Sequence, residues 1–239
     1  MKLFGVIDVS TIDYPKKCAA VVFFSECNML CGYCHNYEQM LNNTVELSTK
    51  EVFNNIDLMF ADAIVFSGGE PTLQPEALKE LCKLSKENNL NVKIDTNGTN
   101  IEILKELINN KLVDYIALDV KCKFDKYPLI ANYKNINKLK NNIVNLIDYC
   151  NKNNVFIECR TTFVPDLMDE TDIEEIAKII KNCNLYTIQQ MDCSHSYIEE
   201  YKKMEYVKDN KLISLGKIAK KYLNNPINVK SNNGINIVK

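Results

Sequence analysis

Three cysteines fall within the eight residues Cys27-Asn28-Met29-Leu30-Cys31-Gly32-Tyr33-Cys34, close enough along the chain to converge on one metal centre. Structural zinc takes four protein ligands, commonly as two separated pairs, and no second Cys-x-x-Cys or His-x-x-x-His pair follows. Thiolate-held iron–sulfur cubanes normally use four cysteines, so three from one compact loop leave an iron with an open coordination position. A zinc ion completed by His35 and three incidental thiols are the competing readings of this loop. The other seven cysteines (Cys18, Cys82, Cys122, Cys150, Cys159, Cys183 and Cys193) are isolated, mostly in apolar periodic segments. They read as buried thiols behaving as small hydrophobes.

Further reactive groups recur at intervals: Ser67-Gly68-Gly69-Glu70, Asp95-Thr96-Asn97-Gly98, Asp119-Val120-Lys121, Arg160-Thr161-Thr162 and Gln189-Gln190. Two glycines let a backbone approach a ligand closely, and Glu70 offers an anionic acceptor to an ammonium group. Taken singly, the same segments could be a tight turn, a surface Asp/Lys pair, or an arginine paired with a carboxylate on a neighbouring strand.

Each group ends a short apolar run rich in strand formers. The runs are Cys18–Phe24, Ala63–Ser67, Asn91–Asp95, Tyr115–Asp119, Val155–Arg160 and Tyr186–Gln190. Between them, helical periodicity predicts helices over Pro75–Glu87, Ile101–Asn109, Ile136–Asn151 and Ser214–Leu223. Ser48-Thr-Lys-Glu51 predicts a capping box opening a helix to about Phe60, and Thr171-Asp-Ile-Glu174 predicts another running to about Lys181. Six β/α units in unbroken alternation predict a single α/β domain over 1–239. The expected architecture is a partial (β/α)6 barrel of parallel strands with outer helices, its core about 16–223; an open doubly wound sheet is the alternative. Either fold gathers the groups at strand C-termini. The tail Asn224–Lys239 supports no assignment beyond one short closing strand.

Composition narrows the function classes. In 239 residues, 46% hydrophobic and 25% charged, Lys plus Arg (29) nearly balance Asp plus Glu (31). Nothing in that balance draws the chain onto nucleic acid or an anionic membrane. No apolar run approaches a bilayer span, and the cysteines are too sparse for a disulfide scaffold, so a reducing, cytoplasmic setting is expected.

Cys-x3-Cys-x2-Cys with Tyr33 before the last cysteine resembles the motif of the radical S-adenosylmethionine (SAM) superfamily, over roughly the whole chain. Tyr33-Cys34-His35-Asn36, Asp95-Thr96-Asn97-Gly98, Asp119-Val120-Lys121 and Ile12-Asp13-Tyr14-Pro15 look like the activating enzymes of glycyl-radical enzymes, particularly the activating protein of anaerobic ribonucleotide reductase. The resemblance implies one [4Fe-4S] cluster on Cys27, Cys31 and Cys34, with SAM on the open iron and its amino group held by Gly68, Gly69 and Glu70. It implies that Asp95, Thr96 and Asp119 help bind SAM, with a monovalent cation between them and the SAM carboxylate and Lys121 near that carboxylate. Tyr33, Asn97 and Arg160 are further candidate cofactor contacts. No catalytic residue is expected beyond these ligands.

The implied reaction is reductive cleavage of SAM to a 5′-deoxyadenosyl radical, which removes a hydrogen atom from a backbone glycine of a partner protein. No ferredoxin-like cysteine insertion is present, so an external electron donor of flavodoxin or ferredoxin type is implied. Radical SAM chemistry on a small molecule, as in deazapurine-forming enzymes, and a non-catalytic zinc-binding α/β protein are the alternatives. Neither His35 nor His195 is given a role.

Overall fold

The computed structural model describes residues 1–238, which fall into two compact units. The first comprises Met1–Asn28, Asn36–Ala117 and Lys152–Phe156; the second comprises Met29–His35, Leu118–Asn151 and the chain from Ile157 onward. The strands are β1 (Lys2–Ser10), β2 (Ala19–Phe24), β3 (Val45–Glu46), β4 (Ala63–Gly68), β5 (Asn91–Thr96), β6 (Tyr115–Asp119), β7 (Phe156–Phe163), β8 (Leu185–Gln190), β9 (Ile227–Ser231) and β10 (Gly234–Val238). The helices are α1 (Tyr37–Asn43), α2 (Thr49–Asn54), α3 (Pro75–Glu87), α4 (Ile101–Asn109), α5 (Tyr127–Ile130), α6 (Ile136–Lys152), α7 (Glu170–Ile179), α8 (Glu199–Lys202) and α9 (Asp209–Lys220).

In the first unit β2 pairs in parallel with β4, and β4 with β5, while β1 lies antiparallel to β2. In the second, β7–β8 and β8–β9 are parallel and β9–β10 closes as an antiparallel hairpin. All six predicted strands are present, and parallel strands alternate with helices throughout. The fold is α/β with a mostly parallel sheet.

Side-chain periodicity explains how these elements hold together. Along β2 and β4 alternate residues Ala19, Val21, Ala63 and Val65 turn to one face, where Tyr14, Tyr115 and Ala117 join them in a buried cluster. On α3 the buried residues Leu78, Leu81, Cys82 and Ser85 follow the spacing of one helix face. Leu78 and Leu81 have no exposed surface, and burying each contributes about 2 kcal/mol. In the second unit α9 rests on the terminal hairpin: a Cβ added to Gly216 would lie 2.7 Å from Val238 Cγ2 and 3.1 Å from Val229 Cγ2.

The differences from expectation are local. The Ser48–Glu51 capping box forms, but its helix stops at Asn54 rather than near Phe60. The helix expected from Thr171 is capped two residues earlier by Asp169, whose side chain accepts from Thr171 N while Asp172 accepts from Asp169 N. Helix α9 begins at Asp209, ahead of Ser214. Lys2–Ser10 forms a strand, and the tail forms two strands where one was expected.

Candidate active site

In the first unit the cysteine loop and the ends of β4 and β5 are tied together by backbone and side chains. Gly69 N donates to Phe24 O at 2.8 Å and Glu70 N to Glu26 O at 2.9 Å, stitching the Gly-Gly-Glu turn onto the segment that leads into Cys27. The approach is close enough to demand glycine. A Cβ on Gly69 would sit 2.1 Å from Glu26 O, and one on Gly68, whose φ is +108°, would sit 2.4 Å from Phe24 O. Glu26 itself has φ +80°, an uncommon conformation for a residue with a side chain.

Glu70 is fully buried and its carboxylate is engaged. Oε1 accepts from Thr72 N, Thr72 Oγ1 (2.6 Å) and Thr96 Oγ1 (2.9 Å), and Oε2 accepts from Asn97 N at 2.6 Å. Burial pushes its pKa above the usual carboxylate value against the opposing pull of these donors. Sequence reasoning pictured Glu70 as an acceptor for an ammonium. The geometry makes it the knot joining the ends of β4 and β5.

Asn97 continues the network. Its Nδ2 donates to Asn28 Oδ1 at 2.8 Å and lies 4.0 Å from Cys27 Sγ, while Asn28 Nδ2 donates to Thr99 Oγ1 at 2.8 Å. Asn36 Nδ2 donates to Gly68 O at 3.1 Å. Cys27, Gly68, Gly69, Glu70, Thr96 and Asn97 are thus brought together, with Asn28, Asn36, Thr72 and Thr99 as supports that sequence reasoning missed. Asp95 Oδ2 accepts from Ser67 Oγ at 2.9 Å, and Asp95 Oδ1 lies 3.2 Å from Lys93 Nζ.

In the second unit the rest of the cysteine loop is pinned by backbone hydrogen bonds. Leu30 N donates to Ala131 O, Gly32 N to Ile130 O and Ile198 N to Gly32 O, and a Cβ on Gly32 would strike the Tyr201 ring at 2.6 Å. Cys34 N donates to Cys31 O at 3.0 Å, closing the turn between those two thiols. Asp119 is held on both oxygens, by Arg160 Nε at 2.9 Å and Lys121 Nζ at 2.8 Å. Burial alone would raise this carboxyl, but Arg160 and then Lys121 outweigh it and hold the pKa at about 2. Arg160 thus makes the pair with a carboxylate on a neighbouring strand that was one of its readings. His35 is exposed, and His195, 73% exposed, pairs with Asp192 at 2.8 Å.

Among the described residues no group of three or more His, Cys, Asp or Glu is placed to hold a single metal ion. A cluster distributes its thiolates over separate irons, so an all-sulfur donor set on a pinned loop suits a cluster. Tyr33 supplies an independent sign of a missing partner. Its hydroxyl is buried near Cys31 and has no hydrogen-bond partner among the described residues, and its pKa is driven well up, first by burial.

The Radical SAM superfamily pattern matches residues 21–184, and the chain belongs to that superfamily. Its particular relatives are narrower. It is 55% identical over 224 residues, 93% of each chain, to the Methanocaldococcus jannaschii protein named "Putative glycyl-radical enzyme activating enzyme MJ1227". It is 31% identical over 214 residues to the pyruvate formate-lyase-activating enzyme of Clostridium pasteurianum, covering 85% of this chain and 86% of that one. Among solved structures, a radical SAM methyltransferase from Sphaerobacter thermophilus matches with TM-score 0.68 at 13% identity, covering 92% of this chain and 68% of that one; this likeness concerns the fold alone.

Proposed function

We propose that this chain is an activating enzyme that installs a glycyl radical on a partner enzyme of the anaerobic ribonucleotide reductase type. The observation that carries the activase reading is the 55% identity, spanning 93% of both chains, to a relative named as a glycyl-radical enzyme activating enzyme; the type of partner rests on the resemblance of the sequence segments alone. In the proposal Cys27, Cys31 and Cys34 hold one [4Fe-4S] cluster and the whole chain works as a single domain in the cytoplasm. When bound, the cluster supplies the electron that splits the SAM sulfonium, drawn from an external flavodoxin- or ferredoxin-type donor.

The protein's own task is to bind, orient and exclude. The turn at Gly68-Gly69 lies against the segment leading into Cys27, and its carbonyl oxygens would accept from the SAM ammonium. Glu70 keeps that turn in register with Thr96 and Asn97 rather than meeting the ligand itself. Asn97 points an amide N–H toward Cys27, and a donor to a ligating sulfur is one of the levers that tune a cluster's potential. Asp95 and Thr96, and on the other unit Asp119 with Lys121 and Arg160, would help bind SAM, Lys121 meeting its carboxylate, and the Tyr33 hydroxyl would gain a partner when the cofactors are bound.

The test is anaerobic reconstitution with iron, sulfide, a reductant, SAM and the glycyl-radical enzymes encoded by the same genome. A glycine-centred radical signal in electron paramagnetic resonance, dependent on both proteins and lost in Cys31→Ala, is the expected result. SAM cleavage that needs only a small molecule and never yields that signal would overturn the activase reading.

A further inference from the structure

Lys93 sits in the middle of β5, two residues before Asp95 and therefore on the same side of the strand. Its side chain is only 4% exposed, an unusual place for an ammonium. Three neighbours account for it. Nζ donates to the backbone carbonyl of Asp13 at 2.5 Å, lies 3.2 Å from Asp95 Oδ1, and stands over the Tyr115 ring at 5.5 Å from its centroid. The Asp13 carbonyl takes one ammonium hydrogen, while the carboxylate and the aromatic face offset its charge, so this is a fixed internal charge rather than a surface lysine folded back. The segment around Asp13 is held in turn: Ser10 Oγ donates to the Asp13 side-chain Oδ2 at 2.5 Å, and the following Tyr14 packs on Tyr115 with ring centroids 5.5 Å apart.

Lys93 brings to Asp95 the positive charge that a metal cation there would supply. A monovalent ion beside Asp95 would relieve repulsion between that carboxylate and the carboxylate of SAM. Here one Asp95 oxygen already faces the Lys93 ammonium and the other already accepts from Ser67 Oγ. An added cation would compete with Ser67 for the second oxygen and be repelled by a like charge bound to the same group. The charge already held at Asp95 therefore disfavours a separate ion.

We infer that Lys93 is a tethered counter-cation of Asp95, built into β5, so that SAM binding at this carboxylate needs no monovalent metal ion. The inference rests on the SAM-binding role proposed for Asp95. In this scheme Lys93 is a positioning residue: it does not touch SAM, and it acts by fixing the charge and orientation of the carboxylate that does.

The experiment is SAM binding to the reconstituted enzyme by anaerobic equilibrium dialysis, in potassium, sodium or choline chloride at matched ionic strength, with the sodium NMR line width followed during the SAM titration. Wild type is expected to bind equally, within about twofold, in all three salts and to show no SAM-dependent sodium broadening. Lys93→Met is expected to bind about tenfold more weakly in choline, as Asp95 loses its internal counter-charge, and to recover in potassium or sodium with sodium broadening. Lys93→Arg should keep wild-type indifference. Wild-type binding that collapses in choline, or a Lys93→Met variant as indifferent to salt as wild type, overturns the inference while leaving the functional reading intact. Absence of SAM binding in every salt overturns both. The wild-type comparison decides the matter even if a variant fails to fold.

Discussion

At the residue scale, the groups proposed to meet SAM are held in place by partners that sequence spacing does not display. Gly69 illustrates the point: two adjacent glycines suggested a close approach, but only the fold shows that the approach is to Glu26 O. Gly69→Ala should lower stability by about 2–4 kcal/mol and abolish SAM binding, because backbone rather than a flexible side chain stands in the way. Guanidinium denaturation and dialysis would measure the two effects separately. Asp119 offers a pH test. Its folded pKa is depressed to about 2, so its contribution to stability is present above the ordinary carboxylate range and is lost as pH falls from about 4 toward 2. Asp119→Asn should remove that component of the acid limb and take from Arg160 and Lys121 the carboxylate they now share, at about 2 kcal/mol near neutral pH. Denaturation midpoints across that range, wild type against variant, would reveal a persisting acid limb if the assignment were wrong.

At the element scale, strands and long helices were legible because hydrophobic period is a direct imprint of burial. Helices α3 and α4 fall on their predicted bounds, and six apolar runs became six strands. What escaped were elements whose signal is not periodicity. β1 has exposed residues along much of its length and two irregularities in its pairing with β2, so no alternation marks it. The start of α7 was misplaced because Asp169 and Asp172 form the capping box that Thr171 and Glu174 imitate in sequence. Lys93 was legible in principle: a lysine at an even spacing from Asp95 in an apolar run had to share its face. The Ser48 cap was read correctly and can be checked by itself. Ser48→Ala should cost about 1 kcal/mol and lower the melting temperature without changing SAM affinity.

At the scale of the whole molecule, cysteine exposure sets Cys27 apart from the thiols that pack. Cys31, Cys82, Cys122, Cys150, Cys159, Cys183 and Cys193 are buried, Cys18 and Cys34 are partly covered, and Cys27 is exposed. Burial raises the pKa of Cys82 and Cys122, further suppressing the reactive thiolate. Alkylation of the cluster-free protein, followed by peptide mass spectrometry, should therefore label Cys27 first, with Cys82 and Cys122 reacting only on unfolding. Cluster loading should suppress the Cys27 signal while leaving Cys18 unchanged; labelling of Cys27 that ignores cluster loading would count against its role as a ligand.

The left-handed backbone of Glu26 carries a consequence for anyone who evolves this chain in the laboratory. A residue with a side chain pays about 1 kcal/mol to hold that shape, and glycine would not. A screen that rewards heat resistance alone should therefore enrich Glu26→Gly early. The same change loosens the peptide immediately ahead of Cys27, so thermotolerant winners from such a screen should be poorer at retaining iron.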